Sequence, residues 1–408
     1  MRLLFRPPLT RRIQYKRVIH PTIRNMSTGP TTEVLYALTV AKSPARPSPE
    51  DVLKKSHHAK SGFRNPWESF RDMDSKDIMQ MMILRRLNGK ANNPDTTPPT
   101  VTVRKPEFLP SRDTPKLRAT WLGHACYYVE FPSGLRVLFD PVFEARCGPC
   151  CGPYSLGPKR YTEPACQIKD IPVIDAVVIS HNHYDHLSYP TVSEIAKRHP
   201  NCHFFAPLGN KSWFHSSGIK NVTEMDWWDE RDIAMSPKEG KQAQVEPVGE
   251  ASATAEIKAR ISCLPCQHVT ARTPFDKYKT LWASWAIESG GGKVYFAGDS
   301  GYRAVDELPE GEDDWDPKYN FPICPAFEQV AYAPRHIFSP AHSDPHDAVR
   351  IFKDTKCKKA LGMHWGTWVL TEEDVLEPPK KLKEALKKHD LAENGVFDVC
   401  DIGESREF

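Results

Sequence analysis

The sequence predicts a layered α/β sandwich. Three features carry that expectation. Short β-prone runs come first, helical stretches alternate with the later strands, and residues 174–180 form a near-continuous apolar run. Strands with interspersed helices build layered sheet architectures. A run that is apolar at nearly every position suits a strand buried on both faces.

Taken in order, residues 117–122, 127–131 and 135–139 are the first strands, the last two split by the turn signal Pro132-Ser133-Gly134. The buried run 174–180 follows. Residues 191–198 read as a helix and 202–206 as a strand. Further strands are expected at 257–265, 281–288 and 294–297, and helices at 345–353 and 372–388. Residues 236–254 are polar and poor in large apolar side chains, as in a surface loop. Ahead of the sandwich, residues 1–58 show Pro, Ser, Thr and charge without a sustained period, which predicts disorder. Residues 59–116 form an N-terminal extension and linker, with a short helix near 77–87 carrying Ile78, Met81, Met82 and Leu84. The main folded domain is expected over residues 117–400.

The chain has 408 residues, enough for one large domain of about 250–300 residues with flanking segments. A formal charge of +3 argues against a dedicated nucleic-acid binder. No stretch approaches the roughly 18 apolar residues of a membrane span, so a soluble or peripheral protein is expected. Eleven cysteines, an odd number in a long chain, suit a reducing compartment. Cys147, Cys150 and Cys151 cluster, but no second pair with zinc-finger spacing follows, and a Gly/Pro-rich loop with incidental thiols is the simpler reading. The first acidic residue is Glu33. Arg2, Arg6, Arg11, Arg12, Lys16, Arg17 and Arg24 precede it among apolar residues, the composition of a mitochondrial transit peptide.

The strongest chemical signal is Ser180-His181-Asn182-His183-Tyr184-Asp185-His186, directly after the buried run. Four ligand-type side chains in six residues point to metal. Neutral imidazoles suit zinc, and a neighbouring carboxylate suits a second cation. At a strand end the turn splays alternate side chains, so His181 and His183 can face one metal while Asp185 and His186 face another. Later ligands are expected at strand ends: His268, Asp299 after Gly298, and His364.

This pattern resembles the metallo-β-lactamase superfamily, whose fold is an αβ/βα four-layer sandwich with two zinc ions at the sheet rim. Further motifs are similar to the N-acylphosphatidylethanolamine-hydrolysing phospholipase D family. They are Thr120-Trp121-Leu122-Gly123-His124-Ala125, Leu156-Gly157-Pro158-Lys159-Arg160-Tyr161, Asp226-Trp227-Trp228-Asp229-Glu230, Arg272-Thr273-Pro274-Phe275-Asp276, Gly298-Asp299-Ser300-Gly301-Tyr302 and His364-Trp365-Gly366-Thr367. The resemblance runs from about Phe63 to Pro379. It implies one Zn2+ on His181, His183 and His268, and a second on Asp185, His186 and His364. Asp299 would bridge them, and His342 would position substrate or leaving group. Asp185, Asp299 and His342 are thus the candidate catalytic residues. Arg64, Trp67 and Tyr184 are candidate substrate contacts, and Arg64, Trp67 and Phe70 with the 77–87 helix a candidate membrane-facing surface.

The implied reaction is hydrolysis of N-acylphosphatidylethanolamine to phosphatidic acid and an N-acylethanolamine; the expected location is the mitochondrion, peripheral to its inner membrane, with a cytoplasmic membrane-associated protein as the alternative. The resemblance also admits a homodimer. One departure stands out. Cys324-Pro325-Ala326-Phe327 is followed almost at once by Ala331-Tyr332-Ala333-Pro334-Arg335. An internal strand that the family carries there is missing, which would leave neighbouring backbone groups unpaired. The metal motif by itself also admits a thioesterase, a lactonase or a nuclease. The missing segment admits a catalytically impaired homologue that binds lipid or a partner.

Overall fold

The computed structural model describes residues 35–43, 55–67, 70–72, 87–89, 93–151, 154–238, 257–302 and 340–408. In chain order the first strands are β1 (Leu35–Lys42), β2 (Arg118–Gly123), β3 (Cys126–Glu130), β4 (Arg136–Phe139), β5 (Cys150–Cys151) and β6 (Tyr154–Ser155). Then come β7 (Ala176–Val178), β8 (His203–Pro207), β9 (Val222–Met225), β10 (Glu230–Lys238) and β11 (Ile257–Leu264). The last are β12 (Ser284–Ser289), β13 (Gly292–Phe296), β14 (Ala360–Leu361), β15 (Phe397–Asp398) and β16 (Ser405–Glu407).

A five-stranded antiparallel sheet has the order β1-β10-β11-β12-β13. A seven-stranded sheet has the order β16-β2-β3-β4-β7-β8-β9, antiparallel from β16 to β4 and parallel from β4 to β9. Strand alternation sorts the side chains of this sheet between two cores. Tyr127, Val129, Val137, Phe139, Ala176 and Val178 join Ile233, Ile261, Trp285 and Phe296 of the other sheet. Cys126, Tyr128, Leu138 and Val177 face the opposite way. There they meet Val192 and Ile195 of helix α1 (Tyr189–Arg198) and Phe214 of helix α2 (Lys211–Ser216). Strands carrying apolar residues on both faces are thus covered on both, as 174–180 predicts. Each fully buried side chain of this kind contributes roughly 1.5–3 kcal/mol.

A second helical layer pairs α3 (Pro345–Asp354) with α4 (Glu377–Lys388) through Ala348, Phe352, Leu382 and Leu386, and Ile351 reaches the inter-sheet core. Asp344 caps α3 by accepting from the Asp347 N–H at 2.8 Å. Helix α4 begins later than the expected residue 372, because its first turn holds Pro378, whose fixed φ and missing N–H suit that position.

Three readings of the sequence are corrected. The expected disorder over 1–58 does not hold for β1, which pairs with β10 from Leu35↔Lys238 to Lys42↔Arg231 and buries Leu38 and Val40. Its partner is far away in sequence, so nothing local announces it. The expected loop at 236–254 starts later, since β10 runs to Lys238. The seven-stranded sheet ends on β16, beyond residue 400. Cys150 and Cys151 lie in the short β5–β6 hairpin. The transit-type segment, nearly all of the 77–87 helix and the shortened stretch around 327–335 fall outside the described residues.

Candidate metal centre

Six strand ends bring polar side chains to one place. His124 follows β2, Asp140 follows β4, and the loop from His181 to His186 follows β7. His268, Asp299 and His364 follow β11, β13 and β14. The backbone is strained there. His124, Asp140 and His364 have φ of 50°, 36° and 73°, each costing about 1–3 kcal/mol for a non-glycine residue. Tertiary contacts hold them: the Thr367 Oγ1 accepts from the His124 N–H at 2.8 Å, and the His124 carbonyl accepts from the His364 N–H at 2.9 Å. Gly298 has φ +61°, and a Cβ there would lie 2.4 Å from Ser180 Cβ. Only glycine lets this strand end approach the metal loop.

Two sets of ligand-type atoms form, each within 4.8 Å of one another: His181, His183, His268 and Asp299, and His124, Asp185, His186 and His364. In the first, His181 Nε2 lies 2.8 Å from His183 Nδ1 and 3.2 Å from His268 Nε2, and His268 Nε2 lies 3.3 Å from His183 Nδ1. In the second, Asp185 Oδ2 lies 3.0 Å from His124 Nε2, 3.4 Å from His186 Nε2 and 3.5 Å from His364 Nε2. Asp299 Oδ2 stands between the sets. It is 3.6 and 3.7 Å from His181 and His268, and 3.1 and 3.2 Å from His186 and His364.

The hydrogen bonds behind these rings decide which nitrogens face inward. A carbonyl only accepts, so the 2.7 Å contact of His268 Nδ1 with Ala341 O puts the proton on Nδ1. Ser180 Oγ gives its single proton to Asp140, so His181 Nδ1, 2.9 Å away, donates to Ser180. His186 Nδ1 donates to Asp140 Oδ2 at 2.7 Å. The inward Nε2 atoms of His181, His268 and His186 are therefore lone pairs in the neutral rings. The 3.2 Å contact of His181 with His268 then sets two lone pairs face to face, an arrangement that calls for a shared cation. Nitrogens spaced this way surround a point about 2 Å from each, the zinc–nitrogen distance. Asp299 Oδ1 is buried and takes no hydrogen bond among the described residues, and a bound cation would satisfy it. The residues fit a divalent metal ion.

Electrostatics separates the two sets. Burial pushes His181, His183 and His268 down, the last to about 3, and does the same to His124. Burial acts likewise on His186 and His364, but the nearby Asp299 and Asp185 charges pull both up. Burial would raise those carboxyls, yet His186 and the rings around it hold both well below the usual range.

The structure thus brings together all seven ligand candidates read from the sequence. His342 is half-buried beside them, its ring 4.9 Å from that of His268 and 6.4 Å from that of His364. Tyr184 lies under the Arg272 guanidinium at 3.9 Å. Arg64 and Trp67 are placed differently. Arg64 is exposed and donates to Ser56 O, and Trp67 stacks on Trp227 at 5.9 Å against the core. Aromatic burial outweighs exposure for Trp67. Sequence reasoning missed His124, Asp140 and Arg272 as members of the site. His124 and Asp140 carry the strand-end signal that pointed to His268. Arg272 Nη1 donates to both Asn182 O and Leu187 O at 2.8 Å, closing the metal loop. A further group, His57, His58 and Asp226, is of another kind. Its nitrogens contact the carboxylate directly at 2.7 and 2.8 Å, and Lys55 Nζ at 2.8 Å already supplies the cation.

The family described as the β-lactamase superfamily domain matches residues 135–365. The N-acyl-phosphatidylethanolamine-hydrolyzing phospholipase D 1 of Caenorhabditis elegans is 33% identical over 294 residues, covering 71% of this chain and 75% of that protein. The mitochondrial N-acyl-phosphatidylethanolamine-hydrolyzing phospholipase D of Saccharomyces cerevisiae is 32% identical over 283 residues, 69% of this chain and 53% of that protein. The chain thus spans about half the length of the yeast relative. A solved possible metal-dependent hydrolase from Veillonella parvula aligns with a TM-score of 0.44 and 15% identity, over 72% of this chain and 100% of that one. With more than half of its length matched by the superfamily domain, the chain is a metal-dependent hydrolase of the β-lactamase superfamily and belongs to the family of N-acylphosphatidylethanolamine-hydrolysing phospholipases D.

Proposed function

We propose that this chain holds two Zn2+ and hydrolyses N-acylphosphatidylethanolamine to phosphatidic acid and an N-acylethanolamine. The observation that carries the reading is Asp299 Oδ2, set within 3.1–3.7 Å of imidazoles from both ligand sets. The names of the worm and yeast relatives support the substrate. His181, His183 and His268 would hold one ion and Asp185, His186 and His364 the other, with Asp299 between the two sets. His124, on Asp185, steadies that carboxylate or joins the second set.

Such a pair supplies a water of lowered pKa and takes up charge on phosphoryl oxygens. The chain's own groups do the rest. Asp140 and the Ala341 carbonyl hold the rings so that lone pairs face inward. His342, whose ring lies 4.9 Å from that of His268, would hydrogen-bond the departing ethanolamine oxygen. Arg272, over Tyr184, holds the loop at one rim of the site. Overall the water oxygen bonds to phosphorus as the bond from phosphorus to the ethanolamine oxygen breaks; one water proton ends on that oxygen, giving the N-acylethanolamine, and the other stays with the phosphatidic acid or is released.

The lipid substrate calls for peripheral membrane contact. Among the described residues no helix is long and apolar enough to cross a membrane. Phe275 is 91% exposed on the loop that starts at Arg272, with Lys277 and Lys279 also exposed, a composition suited to a lipid surface. The name of the yeast relative supports a mitochondrial location. The hydrolase domain is read as starting at residue 117 and running past residue 400 to include β16, with β1 completing its other sheet.

The deciding experiment is mass spectrometry of lipid products from zinc-replete full-length protein, with Asp299→Asn beside it. Phosphatidic acid and N-acylethanolamine in equal amounts, absent with the variant, support the reading. Two bound zinc ions without turnover favour a lipid-binding homologue, and turnover of a thioester or lactone alone replaces the substrate.

A further inference from the structure

Residues 55–67 reach the metal centre from outside the sandwich. Asn65 Nδ2 donates to the backbone carbonyl of His268 at 2.7 Å. The segment is pinned on both sides of that contact. The Phe63 N–H donates to Tyr278 O at 2.8 Å, and Lys279 Nζ donates to Ser61 Oγ at 2.6 Å. Gly62 has φ +94°, and a Cβ there would lie 2.2 Å from Tyr278 O, so glycine alone permits this close crossing. Upstream, the buried Asp226 takes His57 Nε2 on Oδ1 at 2.7 Å, and His58 Nε2 and Lys55 Nζ on Oδ2 at 2.8 Å each. His57 stacks on Trp227 at 4.3 Å. Trp227 Nε1 donates to Trp282 O at 2.6 Å, and Trp282 Nε1 to Cys266 O at 2.9 Å, two residues before His268.

Two lines of contact therefore leave one anchor and end on the same ligand-bearing stretch. We propose that Asn65 is a positioning residue of the metal centre: it fixes the His268 backbone, and the Asp226 clamp on His57, His58 and Lys55 holds it in place. The side chain of His268 is oriented separately by Ala341, so Asn65 governs where the ring is delivered and Ala341 how it is turned. This assignment rests on the two-zinc reading above.

The test uses the full chain. Zinc affinity is measured by chelator competition, kcat and KM on lipid in detergent micelles, and the thermal midpoint on metal-free protein. The variants are Asn65→Leu, similar in shape without the donor, Asn65→Asp, Asp226→Asn and the double Asn65→Leu/Asp226→Asn. With Asn65→Leu, affinity for one zinc falls roughly tenfold, the scale of groups that orient ligands from behind. kcat falls and KM holds, while the metal-free midpoint stays near wild type. Asp226→Asn gives part of the same loss, and the double variant loses less than the product of the two. Unchanged zinc affinity and kcat in Asn65→Leu overturn the proposal. So does a loss matched by an equal drop in metal-free stability, or full activity in Asn65→Asp, which has no N–H to give. Should Asp226→Asn not fold, the Asn65 variants decide alone. Wild-type protein that binds no zinc would instead overturn the two-zinc reading.

Discussion

Asp140 Oδ2 lies 2.7 Å from His186 Nδ1, and the same carboxylate accepts from Ser180, which in turn accepts from His181 Nδ1. One buried side chain thus sets the tautomer of a histidine in each ligand set. Asp140→Ala leaves the His186 Nδ1–H without its acceptor and frees Ser180 to turn. Metal affinity is expected to fall about 10–100-fold, read by chelator competition, with far-UV circular dichroism unchanged. Retention of wild-type affinity would show that the rings are held by other means.

Asp299→Asn removes the one charge shared by four imidazoles. Zinc content and turnover are expected to drop together, counted by elemental analysis after gel filtration. A variant with full zinc and full activity would end the bridging assignment.

Arg272 Nη1 reaches both ends of the metal loop while its guanidinium covers Tyr184. A lysine ammonium has donors enough for both carbonyls but lacks the planar guanidinium that lies over Tyr184 and fixes the donor in place. Arg272→Lys is expected to lower kcat about tenfold and zinc occupancy at limiting metal, with KM nearly constant. A change in KM alone would instead make Arg272 a substrate contact.

Asp226 gives the chain an acid-sensitive anchor. Burial raises its carboxyl, but His57, Lys55 and His58 together hold it well below the ordinary value of 3.8. A depressed folded value means the clamp stabilises fully above 3.8 and fades as pH falls through the acid range. Urea midpoints of wild type and Asp226→Asn should therefore differ by a constant amount from pH 7 to about pH 5, and the difference should narrow only as pH falls below 3.8, closing well below it. A difference that stays constant below 3.8 as well would contradict the linkage.

Phe275 protrudes on a turn braced by Asp276, whose Oδ1 accepts from Arg272 N, Thr273 N and Thr273 Oγ1 at 3.0, 2.7 and 3.0 Å. Burying a phenylalanine gains about 1.5–3 kcal/mol. Phe275→Ser should weaken liposome sedimentation about tenfold or more while sparing turnover of micelle-dispersed lipid. Equal sedimentation would place the membrane contact elsewhere.

The apolar run 174–180 and the imidazole-rich stretch after it could be read directly, because both signals are local. The same held for the helices near 191–198 and 345–353, where periodicity and a capping Ser or Asp coincide. β1 could not be read this way. Its eight residues gain a partner only when β10 returns beside them. Trp67 and Arg64 look alike as exposed candidates in a proline-rich stretch, and packing against Trp227 separates them.

The sequence alone determined that ligand-type side chains follow apolar strands, because chemistry and alternation are written residue by residue. It also determined the need for glycine before Asp299. Tertiary structure decided which groups meet: His124 comes to Asp185, Asn65 comes to the His268 backbone, and His57, His58 and Lys55 come to Asp226. Those relationships depend on strand ends meeting across two sheets, and that meeting is a property of the packed cores, not of any one segment.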